Sequence, residues 1–290
     1  GTIVVQGKLE CSGTSQNMRV TSAWECSGTL SARSAGSLLM LGDGRLRTAT
    51  LDIETGAKIE IKDCDFSKQT TTPDGVLQTS GDFTNGTIAG SGRLSLNGDT
   101  TFDAMTLGVD TSWTFRQLRI RNGLSFLGGA KLRLLNGQAS VNTRLYFQGA
   151  NQSVTGTGAI EFVGTGAFKQ ILGDVGSRAT LGADVDLLGG FGRVFTTQLT
   201  MLGDIIATGS GSRIQFSAPW THRGVMRAEG GASLLMNGDG VKTGSIVQDG
   251  SGELAIATCD FESASVPVSG LATIRGTWSN ATLTGSGRLT

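Results

Sequence analysis

Short runs with apolar residues at positions i and i+2 recur along the whole chain. They are Leu38-Leu39-Met40, Ile59-Glu60-Ile61, Leu94-Ser95-Leu96, Leu132-Arg133-Leu134, Leu145-Tyr146-Phe147, Ile160-Glu161-Phe162, Ile214-Gln215-Phe216, Leu234-Leu235-Met236 and Leu254-Ala255-Ile256. Side chains two residues apart leave a strand on the same face, so each run predicts a short strand with one face toward a core. Runs begin at 214, 234 and 254, and again at 38 and 59, a step of about 20 residues that suits one coil of a solenoid. Glycines precede most of them, as in Gly90-Ser91-Gly92, Gly156-Thr157-Gly158, Gly209-Ser210-Gly211 and Gly250-Ser251-Gly252. Glycine tolerates positive φ and so suits tight corners between short strands. No segment of about 12 residues sustains the i, i+3, i+4, i+7 spacing of a helix.

A longer period encloses this short one. Thr21 to Gly44 (TSAWECSGTLSARSAGSLLMLGDG) matches Ser217 to Gly240 (SAPWTHRGVMRAEGGASLLMNGDG) without a gap at an offset of 196. Further on the offset is 195, where KIEIKDCDF and FTNGTIAGSGRL of Lys58 to Leu94 match ELAIATCDF and WSNATLTGSGRL of Glu253 to Leu289. An antiparallel sandwich has no reason to repeat a block in register, whereas stacked coils do. The expected fold is therefore all-β, a right-handed parallel β-helix (β-solenoid) with coils of roughly 15–20 residues. Residues 1–290 are read as one continuous solenoid in which 21–95 repeats as 217–290. At roughly 18 residues per coil this is about 16 coils, stacked about 4.8 Å apart. Both ends fall inside a block, so the chain is expected to be a slice of a longer repetitive protein.

The strings GTIAGSGRLSLNGD (Gly86 to Asp99), GTWSNATLTGSGRL (Gly276 to Leu289) and WTHRGVMRAEGGASLLMNGDG (Trp220 to Gly240) resemble the Gly-rich repeats of large bacterial surface and autotransporter-like β-solenoid proteins. The resemblance covers most of the chain and is weakest from about Gly164 to Thr200. It implies the fold and an exported, extracellular or cell-surface location, and it implies no activity.

Composition narrows the partners. Only 17% of residues are charged, and 24 basic residues balance 24 acidic ones. No global field would recruit nucleic acid or an anionic membrane. Apolar stretches all fall short of a membrane span, and Gly1-Thr2-Ile3-Val4-Val5 lacks the pattern of an export signal. Forty-five glycines beside three prolines exclude collagen and leave glycine to the turns.

Several residues are candidates for chemistry. Cys11 and Cys26 lie in two Glu-Cys-Ser-Gly strings close in sequence, which could set them on neighbouring coils as a disulfide or as stacked thiols. Cys64 and Cys259 occupy equivalent block positions and are expected as buried free thiols. Arg116, Arg119, Arg121, Arg133 and Arg144 form the only local basic concentration. Arg116, Arg119 and Arg121 with Trp113 make a candidate contact for an acidic polysaccharide, set against a solvated strand face. Trp24 matches Trp220 and Phe83 matches Trp278 between the blocks, which favours a core ladder over sugar stacking. Asp43 and Asp239, each in Gly-Asp-Gly, read as turn residues rather than calcium ligands. His222 is the only histidine, aligns with Cys26 and is expected as a surface imidazole. Asn85, Asn151 and Asn280 fit the glycosylation pattern but equally suit corners.

These readings point to a structural or adhesive extracellular rod or fibre segment, non-enzymatic and without a cofactor or metal. Its expected partners are copies of itself end to end, or the rest of a longer chain, and surface polysaccharide. The alternative is a carbohydrate-active or carbohydrate-binding β-helix of the polysaccharide lyase or glycosidase type, for which Asp184 and Asp186 are the nearest carboxylate pair. An ice-binding solenoid would need repeated Thr-x-Thr, and Thr70-Thr71-Thr72 does not recur.

Overall fold

A computed structural model describes the chain except for residues 48, 67–69, 136–141, 165, 167–168, 196–197 and 250. The described chain is all-β, with no helix and 66% strand, and its parallel stacked strands form about 14 solenoid turns. Two compact units divide it, Gly1–Leu132 and Arg133–Thr290. All nine runs singled out above lie within strands. Gly250, proposed above as a corner, lies outside the described residues.

In the first unit the chain winds through three strand columns. One holds Ile3–Val5, Trp24–Cys26 and Gly44–Leu46, and its register continues to Cys64 and Asp65, then to Phe83 and Phe102. A second stacks Lys8–Cys11, Thr29–Ala32 and Thr50–Ile53. A third stacks Asn17–Val20 on Leu38–Leu41, Lys58 to Ile61, Val76 to Thr79 and Arg93 to Leu96. The winding is plainest in the strand Thr87–Trp113. It bends at Gly90 (φ 148°) and Ala104 (φ 52°). Its successive segments then pair with Thr70–Thr71, with Val76 to Thr79 and with Gly81 to Thr84.

The second unit repeats the three-column plan. Thr143–Phe147, Lys169–Gly173, Gly192–Val194, Arg213–Phe216, Ser233–Met236, Glu253–Ile256 and Leu271–Ile274 form one column. Leu199, Trp220, Gly240, Cys259 and Trp278 are in register in another. Ile214 pairs with Leu234 and Leu234 with Leu254, at the period read from the sequence. Not every coil keeps it. Asn151 pairs with Arg178 and Gly158 with Val185, a longer step along the chain. Such coils help to make the turns about 14, fewer than the spacing predicted.

The 195–196-residue block is a stacking repeat. Ile3, Trp24, Gly44, Cys64 and Phe83 form one ladder, and Leu199, Trp220, Gly240, Cys259 and Trp278 form its counterpart. Aromatic packing follows it. Phe66 and Phe83 have ring centroids 5.8 Å apart, and the equivalent Phe261 and Trp278 are 5.1 Å apart. Within Gly-Asp-Gly the first glycine carbonyl accepts the indole N–H, Trp24 Nε1 to Gly42 O at 2.5 Å and Trp220 Nε1 to Gly238 O at 2.8 Å. The second glycine leaves room for the ring, because a Cβ on Gly44 or Gly240 would collide with the indole. Gly-Asp-Gly is thus a seat for tryptophan.

The identical Ser-Leu-Leu-Met strings are not superposable. In the first copy Leu39 and Leu41 pair with Ile59 and Ile61, while in the second Leu234 and Met236 pair with the matching Leu254 and Ile256. The next residue differs between the copies in keeping with the phase. Leu41 is apolar and is buried, whereas Asn237 at the same sequence position is exposed. A slip of one residue moves every side chain to the other face, and the longer corner before Gly240 restores the register.

Candidate functional site

The structure disperses the basic and aromatic group that the sequence nominated. Trp113 is buried, so its indole offers no face to a sugar. Leu118 and Ile120 point inward, and Arg119 and Arg121 alternate with them on the outside. Arg119 pairs with Asp99 at 3.7 Å and Arg121 with Asp103 at 2.9 Å, each one coil back. Arg116 is exposed. Arg133 pairs with Glu161 at 3.0 Å. Arg119, Arg121 and Arg133 thus lie on an outward face and are ion-paired to neighbouring carboxylates.

Cys11 and Cys26 do not form a disulfide. Their separation along the chain is shorter than a coil, so Cys11 stacks against Ala32 in one column and Cys26 between Val5 and Leu46 in another. All four cysteines are buried free thiols. Burial pushes Cys64 and Cys259 up to about 12 and also raises Cys26.

Carboxylates serve the stack as well. Asp186 Oδ1 accepts the Asp204 amide at 3.0 Å, and Asp204 Oδ1 accepts the Val225 amide at 2.8 Å. Asp184 is exposed. Asp43 lies 3.6 Å from the Lys62 ammonium. No group of three potential metal-ligating side chains occurs among the described residues. Asn85 and Asn280 take left-handed corner conformations (φ 53° each), whereas Asn151 lies on a strand.

His222 overturns its expectation. It is buried, one coil from Lys242, which is buried too, and the ladder Met201–His222–Lys242 stands where the first copy has Val5–Cys26–Leu46. His222 Nε2 lies 3.0 Å from Gly203 O, and Nδ1 has no partner among the described residues. Lys242 Nζ donates to Gly224 O at 2.9 Å and to Thr243 O. Burial, with the nearby Lys242 charge, lowers His222 to about 3. Burial lowers Lys242 to about 7, against the opposing influence of Cys259 and Asp204. Lys169 is a second buried amine, bonded to Gly164 O and Gly166 O and lowered by burial to about 8. A basic residue aligned with Leu46 at an inward block position was the available signal for Lys242.

An open groove of about 410 Å³ lies across the coils of the first unit. Its floor is the outward ladder Arg19–Met40–Glu60, in register on three successive coils. Asp43, Lys62 and Ser80 also line it. Lys62 is held between Asp43 and Asp63, at 3.6 and 3.3 Å. Arg19 and Glu60 make no ion pair among the described residues. The corresponding ladder in the second unit is Gln215–Leu235–Ala255, in which Leu235 and Ala255 are buried. The sequence signal was charge at coil spacing, obscured by the one-residue shift between the two copies.

No family model, curated protein or solved structure matches the chain.

Proposed function

We propose that this chain is a structural or adhesive segment of an extracellular bacterial surface or matrix protein, a non-enzymatic element in which stacked coils supply length and stiffness. The observation that supports this is how regularly the charged side chains serve neighbouring coils. Arg33 pairs with Asp52, Arg47 with Glu25, Arg45 with Asp65 at 3.3 Å, Arg121 with Asp103 and Arg275 with Glu253, each about one coil apart. The Asp186 carboxylate, half of the nearest catalytic candidate, is engaged by a backbone amide. A secreted location and the bacterial surface rest on the resemblance of the Gly-rich repeats. Association through strand edges with other solenoids, and contact with surface polysaccharide, are the partners this reading fits.

The test has two arms. Purified protein is incubated with a panel of uronic-acid and neutral polysaccharides, and new reducing ends and unsaturated products are measured. The same protein is pulled between its termini in a single-molecule force experiment. The expected results are no depolymerisation and stepwise resistance to extension. Depolymerisation abolished by Asp186→Asn would replace the structural reading with the lyase or glycosidase reading.

A further inference from the structure

We propose that the Arg19–Met40–Glu60 groove is a binding site for a carboxylated sugar unit of an acidic polysaccharide, which deepens the adhesive reading above and rests on it. Three features of the site lead there. First, Arg19 is an exposed guanidinium with no carboxylate partner among the described residues, in a protein that pairs many of its arginines from coil to coil. A planar guanidinium is suited to bidentate recognition of a carboxylate. Second, Glu60 stands two coils away, about 9.6 Å along the stack, and its unpaired carboxylate can accept hydroxyl hydrogen bonds. The half-buried Met40 side chain lies between them and offers an apolar surface to a ring face. Third, the stack does not need these charges. The equivalent ladder Gln215–Leu235–Ala255 builds the same column without them, and Lys62 aligns with Ala257.

Charges that the fold can omit, arranged around an open groove in one copy and absent from the other, mark recognition rather than stacking. Lys62 stands at the same groove, neutralised by Asp43 and Asp63. Among the groove's described residues, Arg19 is therefore the cation left for an incoming anion. The arrangement selects a ligand that carries both a carboxylate and hydroxyl groups, which a bare anion or a neutral glucan does not.

The second copy supplies the control. In Arg19→Gln/Glu60→Ala/Lys62→Ala, each position takes the residue found at its counterpart, so the column should stack as it does there. Isothermal titration with a galacturonate tetramer is expected to show saturable binding to the unaltered protein. Binding should weaken at least tenfold in the triple variant and for a tetramer with its carboxylates reduced to alcohols, while the melting temperature of the variant stays close to the original. Absence of saturable binding to the unaltered protein, or equal binding by protein and variant, overturns the site. Equal binding of the reduced tetramer overturns its carboxylate selectivity. The structural reading fails separately, by depolymerisation or by the absence of stepwise resistance to extension, neither of which depends on this titration.

Discussion

Trp220 closes over Gly240, its partner one coil on, so tightly that a Cβ at residue 240 would lie 2.0 Å from an indole carbon. Gly240 is not in the left-handed region, so the demand for glycine is steric. Gly240→Ala should cost about 1–3 kcal/mol, the range of overpacked cores. Trp220→Leu in the same chain should recover part of that loss. Urea denaturation of the two single variants and the double variant checks the coupling, and strict additivity would deny that the two residues share one space.

The phase of the Ser-Leu-Leu-Met strand should respond to the residue after it. Leu41→Asn must either bury an amide, at about 1–3 kcal/mol, or slip by one residue into the arrangement of the second copy. A Met40→Cys probe separates the two. It should label readily with maleimide in the Leu41 background and become protected when Leu41→Asn shifts the strand.

The coil, the block and the column are legible in the sequence, but this phase is not. Periodicity at i, i+2 and the even coil spacing reported Ile214, Leu234 and Leu254 correctly because inward apolar residues fix register. It could not see that Leu41 and Asn237 pull an identical string to opposite phases, since a gap-free alignment hides a shift restored within a few residues. The burial of His222 is hidden in the sequence for a related reason. A lone imidazole is ordinarily exposed, and only stacking reveals that it inherits the buried position of Cys26. Trp113, a candidate ligand contact beside the arginines, belongs to the core.

Stability should depend on pH in a direction set by the buried bases. His222, Lys242 and Lys169 all have folded values below their ordinary ones, about 3, 7 and 8. The unfolded chain therefore binds more protons, and stability rises with pH. For the lysines the gain runs from about pH 7 upward. For His222 stability falls as pH drops below its ordinary value of about 6.5. Cys64 and Cys259, raised to about 12, act in the opposite sense once the unfolded thiols ionise near pH 9. The melting temperature should climb from about pH 7 and level off near pH 9, where the two lysines and the two thiols act in opposite senses. Lys242→Leu, which installs the first copy's residue, should flatten the rise between pH 7 and 9 without lowering the melting temperature at pH 7. A slope unchanged by the substitution would remove Lys242 from this account.

Native protein should be inert to thiol reagents. All four cysteines are buried, and the raised Cys64 and Cys259 are neutral thiols at pH 8. A disulfide-exchange dye should titrate no thiol before denaturation and four after it. Two missing thiols in the denatured, unreduced sample would point back to a Cys11–Cys26 bond.

The most direct test of coils stacked for length is negative-stain electron microscopy of the chain beside a variant with one additional copy of residues 21–216 inserted after residue 20. Elongated particles of constant width, longer in the variant and no wider, are the predicted result. Compact particles that grow in every dimension would contradict it.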